Sequence, residues 1–135
     1  MDVDETGYME NPFDVAEGVS LSPSDIRQYQ LAKSAVFSAL ITLVESRKIS
    51  FTDIDKVYIS GGFSEKINIE SAVKTGLLPF EFINKCITIN NSSLLGGIRY
   101  AVEKNNLSVI TDNSEYIDLS LNKDFSDLFI KNMML

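Results

Sequence analysis

The clearest helical pattern of apolar and polar positions begins at Ser22. Ser22, Pro23 and Asp25 are typical of a helix N-terminus, because the serine and aspartate can cap each other and proline fits the first helical position. We therefore expect a long helix from about Pro23 to about Ser46. At about 100° per residue, one arc of this helix carries the apolar side chains Ile26, Tyr29, Val36, Phe37, Leu40 and Val44.

Two short segments rich in β-branched residues predict strands. The first covers residues 56–60 and runs into Gly61-Gly62, and the second covers residues 85–89. The intervening and following elements are a helix over residues 69–75 capped by Asn68 and stopped by Gly76 to Pro79, and a helix from Asn90-Asn91-Ser92-Ser93 through Glu103. Strands separated by helices predict an α/β fold, a small mostly parallel sheet with helices on both faces.

The two ends of the chain show weaker patterns. Residues 1–12 are acidic and aperiodic, so we expect a flexible lead-in, with residues 13–135 forming one domain. Residues 13–21 suggest one strand, residues 116–119 a last short strand after the break at Asn105-Asn106, and Phe125 to Met133 a closing helix. Because two strands make too small a sheet to stand alone, something upstream or a partner should complete it.

Composition excludes several classes of function. The chain has 135 residues, a net charge of −7, no histidine and one cysteine. The negative charge disfavours nucleic acid and anionic membranes as partners, and the lack of histidine removes the usual catalytic triads. A lone cysteine holds neither an internal disulfide nor an iron–sulfur cluster, so cytoplasm is the default location. We expect Cys86, in the second strand, to be a buried and inert thiol.

Lys33 lies near the middle of the apolar arc of the long helix, which is a local contradiction. One interpretation is that its stem packs on the core while the amine reaches water. The other is that the arc borders a cleft, where Lys33 meets an anionic ligand with Gln30 beside it.

Paired glycines follow each predicted strand. Gly61-Gly62, before Phe63 and Ser64, would let the backbone approach a ligand, although a plain turn explains them as well. Gly96-Gly97, after Asn91, costs helix stability and is explained either by close approach of a ligand or by tight packing on the sheet. Both pairs follow strand C-termini, where open parallel sheets bind ligands.

Taken together, these motifs resemble the C-terminal region of the reductive activators of corrinoid proteins, over about residues 19–132. The matching segments are Ser24-Asp25-Ile26-Arg27, Gln30-Leu31-Ala32-Lys33, Tyr58-Ile59-Ser60-Gly61-Gly62-Phe63, Glu70-Ser71-Ala72, Gly76-Leu77-Leu78-Pro79, Asn91 with the small residues after it, and Asp124-Phe125 with Phe129. Those activators look like members of the acetate and sugar kinase, heat-shock chaperone and actin superfamily, in which two ribonuclease-H-like halves clamp a nucleotide.

The resemblance implies that Gly61, Gly62, Phe63 and Ser64 belong to the adenosine side of an ATP cleft. It places Gln30 and Lys33 towards adenine and ribose, and Asn91 nearby. The family hydrolyses ATP, with magnesium, to drive electrons onto a corrinoid cobalt. The chain departs from the family by lacking the cysteines of its [2Fe-2S] domain and the upstream half with the phosphate-binding strands. It also has Asn90 where the family usually has glycine.

The resemblance therefore implies a partial ribonuclease-H-like subdomain, with no catalytic residue of its own, that works with the upstream half of an activator and with a corrinoid protein. Two alternatives stay open. One is a non-catalytic interaction module that forms a homodimer through an exposed sheet edge, and the other is an independent small nucleotide-binding domain.

Overall fold

The computed structural model describes residue 6, residues 8–103 and residues 108–134. Its strands are β1 (Phe13–Ala16), β2 (Val19–Leu21), β3 (Val57–Ser60) and β4 (Cys86–Ile89). Its α-helices are α1 (Pro23–Ser46), α2 (Ile69–Lys74), α3 (Ser92–Glu103), α4 (Ser108–Asp112) and α5 (Lys123–Lys131). Short 3-10 helices occur at Phe51–Asp53, Phe80–Phe82 and Leu119–Leu121.

The central strands β3 and β4 pair in parallel, as predicted. Their register runs from Val57 opposite Cys86 to Ser60 opposite Ile89. The connection between them contains α2, which ends where Gly76 takes a φ of +73°. The small parallel sheet of the predicted α/β fold is therefore confirmed.

The prediction of one strand over residues 13–21 was wrong, because the chain turns back on itself there. Gly18 adopts a φ of +71°, and β1 and β2 form an antiparallel hairpin on either side of it. A left-handed conformation is easily reached by glycine and reverses the chain direction within two residues. Gly18 therefore forms the turn between the two strands.

Helix α1 has the predicted bounds because its N-terminus is closed by a reciprocal cap. The Ser22 Oγ accepts a hydrogen bond from the Asp25 backbone N–H at 3.3 Å, and the Asp25 carboxylate accepts one from the Ser22 N–H at 2.8 Å. Hydrogen bonds from the Ser22 hydroxyl and backbone lower the pKa of Asp25. The carboxylate thus stays charged and committed to the cap.

An aromatic cluster fixes α1 against the segment that precedes β4. The rings of Phe37 and Phe51 lie 6.2 Å apart, and those of Phe51 and Phe82 meet edge to face at 5.3 Å. Phe82 is almost completely buried. Edge-to-face pairs of this kind stabilise a fold beyond the area that they bury.

The buried residues of α1 are mostly polar rather than apolar. They are Gln30, Lys33, Ser34, Ser38, Thr42 and Val44. The Ser34 hydroxyl donates to the Phe129 carbonyl, and the Asn132 side-chain amide donates to the Ser38 hydroxyl at 3.1 Å. Of the apolar arc expected to form the core, Val36 is exposed and Val44 alone is buried. These hydrogen bonds satisfy polar groups near the C-terminal end of α5 that would otherwise be costly to bury.

The chain between α3 and α5 differs from the prediction. The strand expected over residues 116–119 is wrong, because Asp118 accepts a hydrogen bond from the Ser120 N–H at 2.9 Å and begins the 3-10 helix Leu119–Leu121. The closing helix is confirmed as α5, with Asn122 as its N-cap. The predicted break at Asn105-Asn106 lies outside the described residues.

Residues 1–5 and 7 of the expected lead-in also lie outside the described residues. Met9, within the same lead-in, is buried. None of the described helices, α1 included, is both long and apolar enough to cross a membrane.

We predict that Ser34→Ala lowers the free energy of unfolding by about 1–3 kcal/mol, because it leaves the Phe129 carbonyl without its hydroxyl donor in a buried interface. Urea unfolding measures this change. Ser46→Ala is the matched control, since Ser46 is an exposed serine of the same helix whose hydroxyl bonds to the Leu43 carbonyl. Equal losses in the two variants would show that the contact with α5 does not stabilise the fold.

Candidate functional site

The turn after β3 presents an open backbone surface. Gly61 has a φ of +96°, a conformation that a larger side chain rarely adopts. A Cβ atom added at Gly61 or Gly62 would meet nothing within 4 Å among the described residues, and both glycines are exposed. Gly61 is therefore needed for the turn, whereas Gly62 leaves space beside it.

Ser64 closes this turn from the inside. Its hydroxyl donates to the Gly61 carbonyl at 2.6 Å and lies 3.2 Å from the Ile89 carbonyl at the end of β4. Ser64 is buried, so its hydroxyl ties the two strand ends together rather than facing a ligand. Phe63, just before it, is exposed over 65% of its surface.

Two serines that were not among the predicted site residues, Ser60 and Ser92, join the turns after β3 and β4. The Ser60 hydroxyl donates to the Ser92 hydroxyl at 2.6 Å and accepts a hydrogen bond from the Ser92 backbone N–H at 3.1 Å. Asn91, with a φ of +20°, accepts a hydrogen bond from the Leu94 N–H at 3.1 Å through its side chain. The signal for the serines was their position, at the end of a strand and the start of a helix.

Gln30 and Lys33 are held by the ends of the chain. The Gln30 amide donates to the Thr6 carbonyl at 2.7 Å, and the Lys33 ammonium donates to the Met134 carbonyl. The end of the Lys33 side chain packs 3.5 Å from where a Cβ would stand on Gly76. Within the described part of the chain, the polar contacts of these two side chains go to the ends and not to the glycine turn.

Burial changes the chemistry of Lys33. The residue is 7% exposed, and desolvation lowers the pKa of its ammonium group. The first interpretation of this residue required the amine to extend into solvent, and in the structure it does not. It meets a carbonyl near the C-terminal end of α5, where the helix dipole favours a cation.

Cys86 is half-buried rather than buried as expected. Burial raises the pKa of its thiol, which disfavours the reactive thiolate.

The predicted site residues therefore fall into two groups. Gly61, Gly62, Phe63, Ser64 and Asn91 come together at the C-terminal ends of β3 and β4, and Gln30 and Lys33 lie with the chain ends. In the described residues, no group of three or more carboxylate, cysteine or histidine side chains is arranged to hold a metal ion. The first group offers open backbone, an exposed aromatic ring and a helix N-terminus, which are features suited to binding a ligand.

Comparison with known proteins agrees with this arrangement. A family model described as "C-terminal domain of RACo the ASKHA domain" matches residues 5–135. The corrinoid activation enzyme RamQ of Eubacterium limosum is 27% identical over 128 residues, which are 93% of this chain and 21% of that protein. The [Co(II) methylated amine-specific corrinoid protein] reductase of Methanosarcina barkeri is 20% identical over 118 residues, 84% of this chain and 22% of that protein.

A solved structure shares the fold. The reductive activator for corrinoid,iron-sulfur protein superimposes with a TM-score of 0.74 and 31% sequence identity, over 86% of this chain and 19% of that one. The chain thus spans about a fifth of the length of the relatives that it matches. Because the family model covers almost its whole length, the chain belongs to the family of the C-terminal ASKHA domain of RACo.

Proposed function

We propose that this chain is the C-terminal part of the ATPase domain of a reductive activator of corrinoid proteins, and that it forms the adenosine side of the nucleotide cleft. The observation that carries the proposal is the pair of turns after β3 and β4, joined by the Ser60 and Ser92 hydroxyls with Gly62 open beside them. Ligands of open parallel sheets bind at the C-terminal ends of the strands. The names of the relatives support the choice of corrinoid activation.

The turn residues have separate roles in this proposal. Gly61 and Gly62 let the backbone approach the nucleoside, and the exposed Phe63 ring supplies a flat apolar surface for the base. Asn91 shapes the start of α3, and Ser64 holds the turn from below. For Gln30 and Lys33, contact with the same nucleotide requires that the Thr6 and Met134 carbonyls give up their hydrogen bonds.

ATP turnover needs more than this surface. Phosphoryl transfer depends on a metal ion, on groups that hold the phosphates and on a positioned water molecule. We assign the magnesium ion and the phosphate contacts to the upstream half of the activator, and binding of the nucleoside to this chain. A cytoplasmic site of action, with a corrinoid protein as the redox partner, belongs to the same proposal.

Helix α3 supports the upstream half as a partner. Its apolar face consists of Leu94, Leu95, Ile98 and Val102, each more than half exposed. Leaving a continuous apolar face in water is unfavourable, and large faces of this kind mark interaction surfaces. Relatives about five times as long as this chain have ample sequence to cover the face.

A homodimer of the isolated chain is the second candidate. The hairpin of β1 and β2 favours it, because Phe13, Val15 and Val19 are exposed. An open strand edge beside such side chains is a template for pairing with a second copy.

We predict that Gly62→Val weakens ATP binding to a complete activator at least about tenfold, because the added side chain occupies the space where the nucleoside approaches. The isolated variant should unfold at nearly the wild-type urea concentration, since nothing described lies within 4 Å of the new Cβ. Phe80→Ala is the control for nucleotide binding, since Phe80 is exposed and lies outside both turns. Unchanged ATP affinity in the Gly62 variant would refute the assignment of the turn.

We predict that Ile98→Glu prevents this chain from binding a separately produced upstream half, whereas Tyr100→Glu does not. Ile98 and Tyr100 are 53% and 50% exposed and lie on opposite sides of α3. The two variants therefore introduce the same glutamate charge at similar exposure, and only the face of the helix differs. Copurification measures the binding. Equal effects of the two changes would contradict a specific contact. A mass of two chains without the upstream half, unchanged in the Ile98 variant, would favour the homodimer through the hairpin.

We predict that the stability of the wild type increases, relative to Lys33→Met, as the pH is raised towards 10.5. Burial lowers the pKa of Lys33 from 10.5, so the unfolded chain binds more protons than the folded chain between the two pKa values. The cost of the buried charge is thus fully present below the folded pKa and disappears through this window.

Urea unfolding at several pH values measures the difference, and Lys74→Met, which changes an exposed lysine of α2, is the reference. A constant difference between the wild type and the Lys33 variant from about pH 8 to pH 10.5 would contradict the effect of burial.

A further inference from the structure

A cavity of about 410 Å³ lies away from the glycine turn. Three segments of the chain enclose it: the N-terminal residues around Met9, the first half of α1, and the C-terminal end around Met133. Its volume falls in the lower part of the range of roughly 300–1,000 Å³ that is typical of small-molecule sites. Gly61, Gly62 and Phe63 are not part of its wall.

The wall of the cavity is mainly apolar and adaptable. It includes Met9, Leu31, Ile130, Met133 and Met134. Methionine side chains are flexible and polarisable, so they adjust their shape around an apolar guest. Met9 is 4% exposed, so this part of the wall is covered from solvent.

One cation stands at the solvent-exposed side of this apolar wall. Arg27 lines the cavity one helical turn before Gln30 and Leu31, and it is exposed. Within the described part of the chain, its guanidinium group makes no hydrogen bond or ion pair. The acid two positions earlier, Asp25, is bound by Ser22 in the helix cap.

Among the described residues, the exposed Lys56 and Lys123 also lack a side-chain partner, but of these cations Arg27 is the one that lines the cavity, and several others are paired. Arg47 pairs with Glu115 at 2.9 Å, Lys74 pairs with Glu70 at 2.7 Å, and Lys85 donates to the Thr52 carbonyl at 3.0 Å. A protein with a net charge of −7 has abundant carboxylates to pair with an arginine. An unpaired guanidinium beside an apolar cavity is therefore available to an external anion.

We propose that the cavity is a second binding site, which takes a small amphipathic carboxylate. The hydrocarbon part of the ligand packs among Met9, Leu31 and Met133, and its carboxylate pairs with the Arg27 guanidinium. A planar guanidinium matches a carboxylate with two parallel hydrogen bonds. A single cation on a negatively charged protein suits a singly charged ligand better than a polyphosphate. The cavity shares none of the turn residues of the proposed nucleotide cleft, although its wall includes Gln30, which the family resemblance places towards the nucleotide.

Octanoate is the probe for this proposal, and octanamide is its uncharged counterpart of the same shape. The methionines are Met1, Met9, Met133 and Met134. Labelling of their methyl groups for NMR therefore reports on the cavity and not on the exposed face of α3. We expect octanoate to shift the Met9 and Met133 signals with saturation, and octanamide to bind about tenfold more weakly.

Three variants separate the contributions of charge and of space. Arg27→Leu should weaken octanoate binding about tenfold and remove the difference between octanoate and octanamide. Arg47→Leu, which removes a guanidinium already paired with Glu115, should leave the octanoate affinity unchanged. Leu31→Trp should fill the cavity and abolish binding of both probes.

The proposal is overturned if the methionine signals do not respond to octanoate, or if octanoate binds equally well to the wild type and to Arg27→Leu. It is also overturned if ATP displaces octanoate, because the cavity would then be part of the nucleotide site. Failure of the Gly62 prediction would leave this proposal unaffected, because the two experiments probe different residues.

Discussion

The packing of α5 on α1 through hydrogen bonds is the interaction on which much of the remaining structure depends. α1 is the longest element, and its buried side carries an amine and hydroxyl groups in place of the expected hydrocarbon. Ser34 and Lys33 donate to carbonyls at and beyond the end of α5, while Asn132 reaches Ser38. The end of a helix has carbonyl groups without partners in the helix itself, so donors on a neighbouring helix can stabilise it. This contact also brings the C-terminal residues to the cavity wall, and it occupies the lysine that the sequence associated with a ligand.

The parallel strands β3 and β4 position the backbone of their turns where a ligand can contact it. Hydroxyl groups at the strand ends bond to each other and to backbone, so the turns after β3 and β4 keep their relative positions. Gly61 provides the required turn and Gly62 keeps the approach open. The fold thereby separates two tasks: hydroxyl groups hold the site together from inside, and open backbone and an exposed ring face outward.

The exposed apolar faces fit a chain whose family is a domain of much longer proteins. The hairpin and α3 are amphipathic, and their apolar sides face solvent. Hydrophobic stabilisation depends on removing apolar area from water, so these faces contribute to folding only when another surface covers them. The same consideration explains why a sheet of two strands was expected to need completion.

Local signals in the sequence determined much of the order of the elements. The Ser22–Asp25 cap predicted the start of α1, and Gly76 predicted the end of α2. The β-branched runs before the glycine turn and the asparagine turn predicted β3 and β4. The glycine turn of the candidate site was found in the same way. These signals act over about four residues, so they can be interpreted without knowledge of the rest of the chain. The strand expected over residues 116–119 was wrong because the Asp118 cap favoured a 3-10 turn over a weak β pattern.

Only the tertiary structure decided which side of α1 is buried and where its polar groups are directed. The partners of Lys33, Ser34 and Ser38 are 101, 95 and 94 positions away along the chain, and no helical period reveals them. The cavity likewise requires both ends of the chain to meet on α1. Helical periodicity assigns apolar residues to the core because they gain by leaving water. A polar residue can take their place in the core when a group distant in sequence forms a hydrogen bond with it. Such a group comes close only when the chain is folded.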